Sequence, residues 1–215
     1  GSAAMLFGRG QAGGVINQVS KTPMLYGINK AGVGIGTNGF QEVKADINQR
    51  IGESTAVRLN VMNRDEGSAR SNPYTGTEPE IHRSGVAPSI SFGLGTPHEV
   101  TLSHLWVKTR DNADYGIPFV NRRPDEAMAK AGNYYGVDAG FDNSDTNVTT
   151  ASYLHTIAPD TQWRTVLRKA NYKRSYWAVA GQGALTAAST ATQAKTREFE
   201  TDNYVLQSDF NTAFS

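Results

Sequence analysis

Between Gln41 and Ile51 the apolar residues Val43, Ala45, Ile47 and Ile51 keep one parity, while Glu42, Lys44, Asp46, Asn48 and Arg50 keep the other. A two-residue period belongs to a strand with one apolar and one polar face, because successive side chains on an extended backbone point to opposite sides. The pattern repeats at once, with Val57, Leu59 and Val61 alternating against Arg58 and Asn60, and only Gly52, Glu53 and Ser54 lie between. So short a connection forces the two strands into an antiparallel hairpin. Upstream, a glycine-rich strand over 31–37 reverses at Asn38 and Gly39, a pair suited to a type I′ turn because both tolerate positive φ.

The same reading places strands near 83–94, 98–110, 146–157, 162–174 and 196–210, each ten residues or longer. Connections are short at 52–54, 95–97 and 158–161 and long at 67–82, 111–145 and 175–195, with Asn38 and Gly39 a short reversal where a long one is due. Tight turns at one end and long loops at the other are the plan of an outer-membrane β-barrel. Its apolar face meets lipid and its polar face a wet lumen, so Val43, Ala45, Ile47, Val57, Leu59 and Val61 are expected outward and Arg50, Arg58 and Asn60 inward. Phe40, Phe92, Trp106, Trp163 and Phe199 sit near predicted reversals, where interfacial aromatics gather. The strand at 98–110 is less regular: Val100, Leu102 and Trp106 share a parity with His104 and are opposed by Leu105 and Val107, which suggests a bulge. The fold class expected is all-β, a partial up-and-down transmembrane barrel of about eight strands.

Composition narrows the chemistry. With 22 glycines in 215 residues, turns and strands are favoured over long helices, and 21 basic against 20 acidic residues lack the excess of a nucleic-acid binder. The absence of cysteine removes disulfides, Cys-ligated metal and thiol nucleophiles. Two G-x-G-x-x-G strings, starting at Gly8 and Gly34, do not open helices as a dinucleotide fingerprint must, and turn glycines explain them. His82, His98, His104 and His155 are too scattered for local metal-ligand spacing, and the run from Asp142 to Asn147 lacks the glycine and distal glutamate of a calcium loop. No catalytic triad or paired carboxylates can be assembled, so neither an enzyme, a resident metal nor a cofactor is expected.

The most specific string lies at the start: Leu6, Phe7, Gly8, Arg9 and Gly10, then Gly13 and Gly14, Val15, Ile16 and Asn17, with Lys21 and Pro23 following. It closely resembles the end of the plug domain of TonB-dependent outer-membrane receptors, siderophore receptors in particular. The segment from Ala45 to Gly67 resembles that family's early barrel strands, and Asp114 to Pro118 the entry to a long external loop. The resemblance extends over essentially the whole chain and is strongest over 1–66 and 83–118. It implies residues 1–25 as the end of a plug and 26–215 as the first part of a barrel of about 22 strands. The chain is then a fragment without most of the plug, the partner-binding segment and the later strands, and residues 1–23 are expected on the concave side of the sheet. The implied function is TonB-dependent uptake of a ferric siderophore across the bacterial outer membrane, with a TonB-type energising partner, outer-membrane lipid and the siderophore as partners. Cobalamin, haem or carbohydrate uptake and a soluble β-rich binding domain are the alternatives.

A ferric siderophore is bulky, partly aromatic and, for catecholates, anionic, so its site calls for aromatic faces and cationic side chains. The 111–145 loop offers Tyr115, Phe119, Arg122, Arg123, Tyr134 and Tyr135, and the end of the 162–174 strand with its loop offers Lys173, Arg174, Tyr176 and Trp177. Seven acids against three bases in the first loop mean that blanket attraction of an anion is not encoded.

Overall fold

The computed structural model describes residues 20–213 except 113, 115, 118, 121, 122, 125, 127–129 and 182–191. Eight antiparallel strands form one sheet in chain order: β1 (Ile28–Ile35), β2 (Gln41–Arg50), β3 (Ala56–Gly67), β4 (Glu80–Phe92), β5 (His98–Asp111), β8 (Phe141–Ala158), β9 (Thr161–Gly181) and β10 (Thr192–Thr212). A two-stranded ribbon, β6 (Phe119–Val120) and β7 (Arg123–Pro124), lies in the long connection before β8. The sheet is an open meander with β1 and β10 at its edges, a partial barrel wall.

Turn chemistry follows the sequence. Asn38 (φ 55°) and Gly39 (φ 68°) both take the left-handed conformation of a type I′ turn, closed by the Phe40 amide donating to the Thr37 carbonyl at 3.1 Å. The tight turns joining β2 to β3, β4 to β5 and β8 to β9 share one end of the sheet, and the remaining connections share the other.

Register sorts the side chains onto two faces. Val43, Ala45 and Ile47 of β2 stand opposite Asn63, Val61 and Leu59 of β3, while Lys44, Asp46 and Asn48 stand opposite Met62, Asn60 and Arg58. Carried across the sheet, the first face collects Ile90, Leu102, Ala151, Leu167 and Leu206, and the second Ser89, Ser103, Thr150, Arg168 and Val205. The apolar face is uncovered: Ile35, Val43, Leu167, Leu206 and Phe210 are all more than half exposed. Among the described residues the buried apolar side chains are Ala56, Tyr134, Ala170 and Ala178 with Pro23 and Pro79, too few and too scattered for a two-sheet core. An exposed apolar face of this extent is that of a barrel wall.

Three sequence expectations need correction. β5 pairs with both neighbours in unbroken register, so there is no bulge in it; Leu105 and Val107 simply belong to the second face, and the irregularity lies at Thr156 and Ala158 in β8. β9 and β10 run 21 residues each, so much of the supposed loop at 175–195 is strand. The interfacial set is mixed: Phe92 and Trp163 lie near the turn end of the apolar face with Tyr153 and Phe210, but Trp106 is in mid-strand. Phe40 and Phe199 belong to the other face, each beneath an arginine, Arg64 at 5.1 Å and Arg197 at 5.0 Å.

Candidate ligand-binding face

Two groups of polar side chains stand on the second face. The first lies toward the loop end, where β8 and β9 carry Asp142 and Arg174. Arg174 donates from Nε and Nη2 to the two carboxylate oxygens of Asp142 at 2.8 and 2.6 Å, and its guanidinium lies 5.1 Å from the centre of the Tyr176 ring. This fork suits a carboxylate, and the ring beneath adds a cation–π contact. A parallel pair stands two strands away, Arg83 Nη2 on Asp111 Oδ2 at 2.9 Å. Tyr172, Arg197 and Phe199 join the same face, since Arg174 pairs with Phe199 and Tyr176 with Arg197 across β9 and β10. Arg83, Tyr172 and Arg197 were not singled out from the sequence; a spacing of two from Arg174 for Tyr172 and from Phe199 for Arg197 was the available signal, and for Arg83 on β4 there was none.

Of the residues that were singled out, Arg174 and Tyr176 are brought together here. Trp177 has the opposite parity and stands between Phe141 and Thr196 on the apolar face. Tyr134 is 4% exposed, and its hydroxyl donates to Asn112 Oδ1 at 3.0 Å. It is therefore a pin inside the loop cluster. Tyr135 is half-buried in the same connection, and Arg123 is exposed on β7. The backbone of Phe119 pairs with Pro124 in the ribbon. Tyr115 and Arg122 lie outside the described residues, as do Leu6, Phe7, Gly8, Arg9, Gly10, Gly13, Gly14, Val15, Ile16 and Asn17.

The loops above this face are joined. The Tyr134 amide donates to the Ser71 carbonyl at 2.8 Å, Arg70 pairs with Asp114 at 3.2 Å, and Asn72 Nδ2 donates to Asp138 Oδ1 at 3.0 Å. Hydrogen bonds from Thr75, then from Asn72, hold the Asp138 carboxyl below the ordinary aspartate range.

The second group is buried. Arg58 on β3 donates from Nε and Nη2 to Asp46 Oδ1 and Oδ2 on β2, both at 2.8 Å, and from Nη1 to the Thr22 carbonyl at 2.8 Å. Lys21 Nζ reaches Asp46 Oδ2 at 2.8 Å, and Asn48 holds Met24 from both sides, accepting its amide at 2.9 Å and donating to its carbonyl at 2.7 Å. Residues 20–26 thus lie over the second face; the remainder of the segment expected on that side, 1–19, is outside the described residues. Among the described residues no group of three His, Cys, Asp or Glu side chains could hold a metal ion.

No protein-family model matches the chain. It is 34% identical over 200 residues to the catecholate siderophore receptor Fiu of Escherichia coli K12, covering 87% of this chain and 25% of that protein. It is 32% identical over 182 residues to the probable TonB-dependent siderophore receptor PiuA of Acinetobacter baumannii, covering 81% and 23%. The crystal structure of PiuA superposes with a TM-score of 0.89 at 26% identity over all of this chain and 31% of that one; the closed form of Fiu gives 0.81 at 30% over 94% and 31%.

The chain belongs with the TonB-dependent siderophore receptors. It spans about a quarter of the length of those curated relatives. Receptors of this family are β-barrel proteins of the outer membrane, and the open eight-stranded sheet is a stretch of such a barrel. The relatives are transport receptors, not enzymes.

Proposed function

We propose that the protein to which this chain belongs imports a ferric siderophore across the outer membrane, driven by a TonB-type partner. The apolar face then meets lipid, the second face lines the lumen, and residues 1–25 end the plug while 26–215 begin the barrel. The observation that carries the ligand side of this reading is the Arg174, Tyr176, Arg197 and Phe199 group on the luminal face at the loop end. Guanidinium forks and aromatic rings are complementary to an anionic aromatic chelate, which favours the catecholate class named for the Fiu relatives. The loop-end guanidiniums of Arg83 and Arg174 are already paired with aspartates, so a ligand reaches them by sharing or replacing a carboxylate. Binding energy here serves recognition; no bond in the ligand has to break.

Uptake of radiolabelled ferric catecholate by an iron-starved strain carrying the full-length gene tests this reading. Uptake that depends on both the gene and the energising partner supports it. Uptake of cobalamin or haem with none of ferric catecholate overturns it.

A further inference from the structure

The seam formed by Asp46, Asn48 and Arg58 has no part in binding a ligand at the loop end, yet with Ser91 it makes up the buried polar side chains among the described residues: Asn48 is 0%, Arg58 6% and Asp46 7% exposed. Its contacts run to the chain just ahead of the barrel wall, and mostly to backbone: the carbonyls of Thr22, Met24 and Tyr26 and the amide of Met24. Lys21 adds the one side-chain tie. The chain therefore crosses the polar face of β2 and β3, bound at Lys21, Thr22, Met24 and Tyr26, before it enters β1 at Ile28.

This order of attachments decides where a pull would be felt. Without the seam, tension from the N-terminal side would reach β1 directly. β1 pairs with β2 along eight residues, and a strand ladder loaded at one end opens pair by pair. With the seam intact, the load meets first a set of bonds that share two wall strands and must yield together. Because those bonds read backbone, they hold the path of the chain whatever its side chains are.

We propose that Arg58, Asp46 and Asn48 are positioning residues for transport: they anchor residues 20–26 to the barrel wall, so that pulling on the preceding chain stops there and β1 stays paired. The inference rests on the uptake reading above. Its test uses the full-length receptor in cells with Pro23→Cys, a position that is buried and, as proline, donates no backbone N–H hydrogen bond that the substitution could break. Labelling by a small maleimide is followed with and without an energised inner membrane, in parallel with uptake of ferric catecholate. With Arg58 intact, energised labelling stays within about twofold of the resting rate; with Arg58→Lys, which keeps the charge and loses the fork, it rises about tenfold or more. Asn48→Ala gives the same rise through a different contact, and unchanged ligand binding shows that each variant is folded. Energised labelling that is as fast with Arg58 intact as with Arg58→Lys overturns the anchor. If no ferric catecholate enters, the uptake reading is what has failed. The anchor is then decided on the purified receptor in mild urea, where Arg58→Lys must still speed labelling, and equal rates refute it.

Discussion

Two arginine–aspartate forks on the same face of the same sheet have nearly identical geometry and different surroundings. Arg58 and Asp46 have side chains 6% and 10% exposed and lie under residues 20–26; Arg174 and Asp142 are 46% and 18% exposed and lie open below the loops. The same bonding serves two purposes. A dehydrated pair is costly to break, because either partner left alone is a buried charge, so it suits a permanent fastening. A hydrated pair is worth little to stability and can exchange its aspartate for another anion, so it suits recognition.

The largest expected effect follows from the first fork. Asp46→Ala, which leaves the Arg58 guanidinium buried and unpaired, is expected to destabilise the full-length receptor by about 3–5 kcal/mol, read as a lower urea midpoint in detergent. Arg174→Met should reverse the profile: a stability change of at most about 1 kcal/mol, with a loss of about tenfold to a hundredfold in ferric catecholate affinity measured by fluorescence quenching. Similar stability losses for the two substitutions would dissolve the distinction between the forks.

The strand faces were legible in the sequence, because parity in β2 and β3 does not depend on what those strands pair with. Partners were not legible. Asp142 precedes Arg174 by 32 residues, and only the register of β8 against β9 brings them together. The extension of β9 to Gly181 was missed because the stretch after Arg174 loses its polar alternation in Ser175, Tyr176, Trp177 and Ala178. A break in pattern reads as a loop, although the backbone ladder to β10 continues. Tyr134 was legible as a loop aromatic; its burial was not, since it depends on Asn112 and Gly136 folding around it.

Smaller effects probe the loop cluster above the open fork. Tyr134→Phe, which removes the hydroxyl donated to Asn112, should cost about 1 kcal/mol locally and appear as faster proteolysis within 112–140. Gly136→Ala should act in the same direction, since an added Cβ would collide with the Tyr134 ring. The smallest effect is on pH. Asp138 is held ionised below the ordinary aspartate range, so its contribution to the joined loops is present above about pH 4 and is lost as pH falls through the lowered value. Proteolysis of the loops should be flat from about pH 5 to 8 and rise in stronger acid, and Asp138→Asn should remove that acid dependence.

Which face of the sheet meets lipid decides the roles of both forks. Single spin labels on the full-length receptor in a bilayer, at Ile47, Leu59 and Leu167 on one face and Asn60, Thr150 and Arg168 on the other, measure this through collision with oxygen, which concentrates in lipid, and with a water-soluble nickel chelate. The expected result is oxygen-dominated collision at the first three positions and nickel access or tight immobilisation at the last three. Equal accessibility on the two faces, or oxygen-dominated collision at Asn60, Thr150 and Arg168, would contradict it.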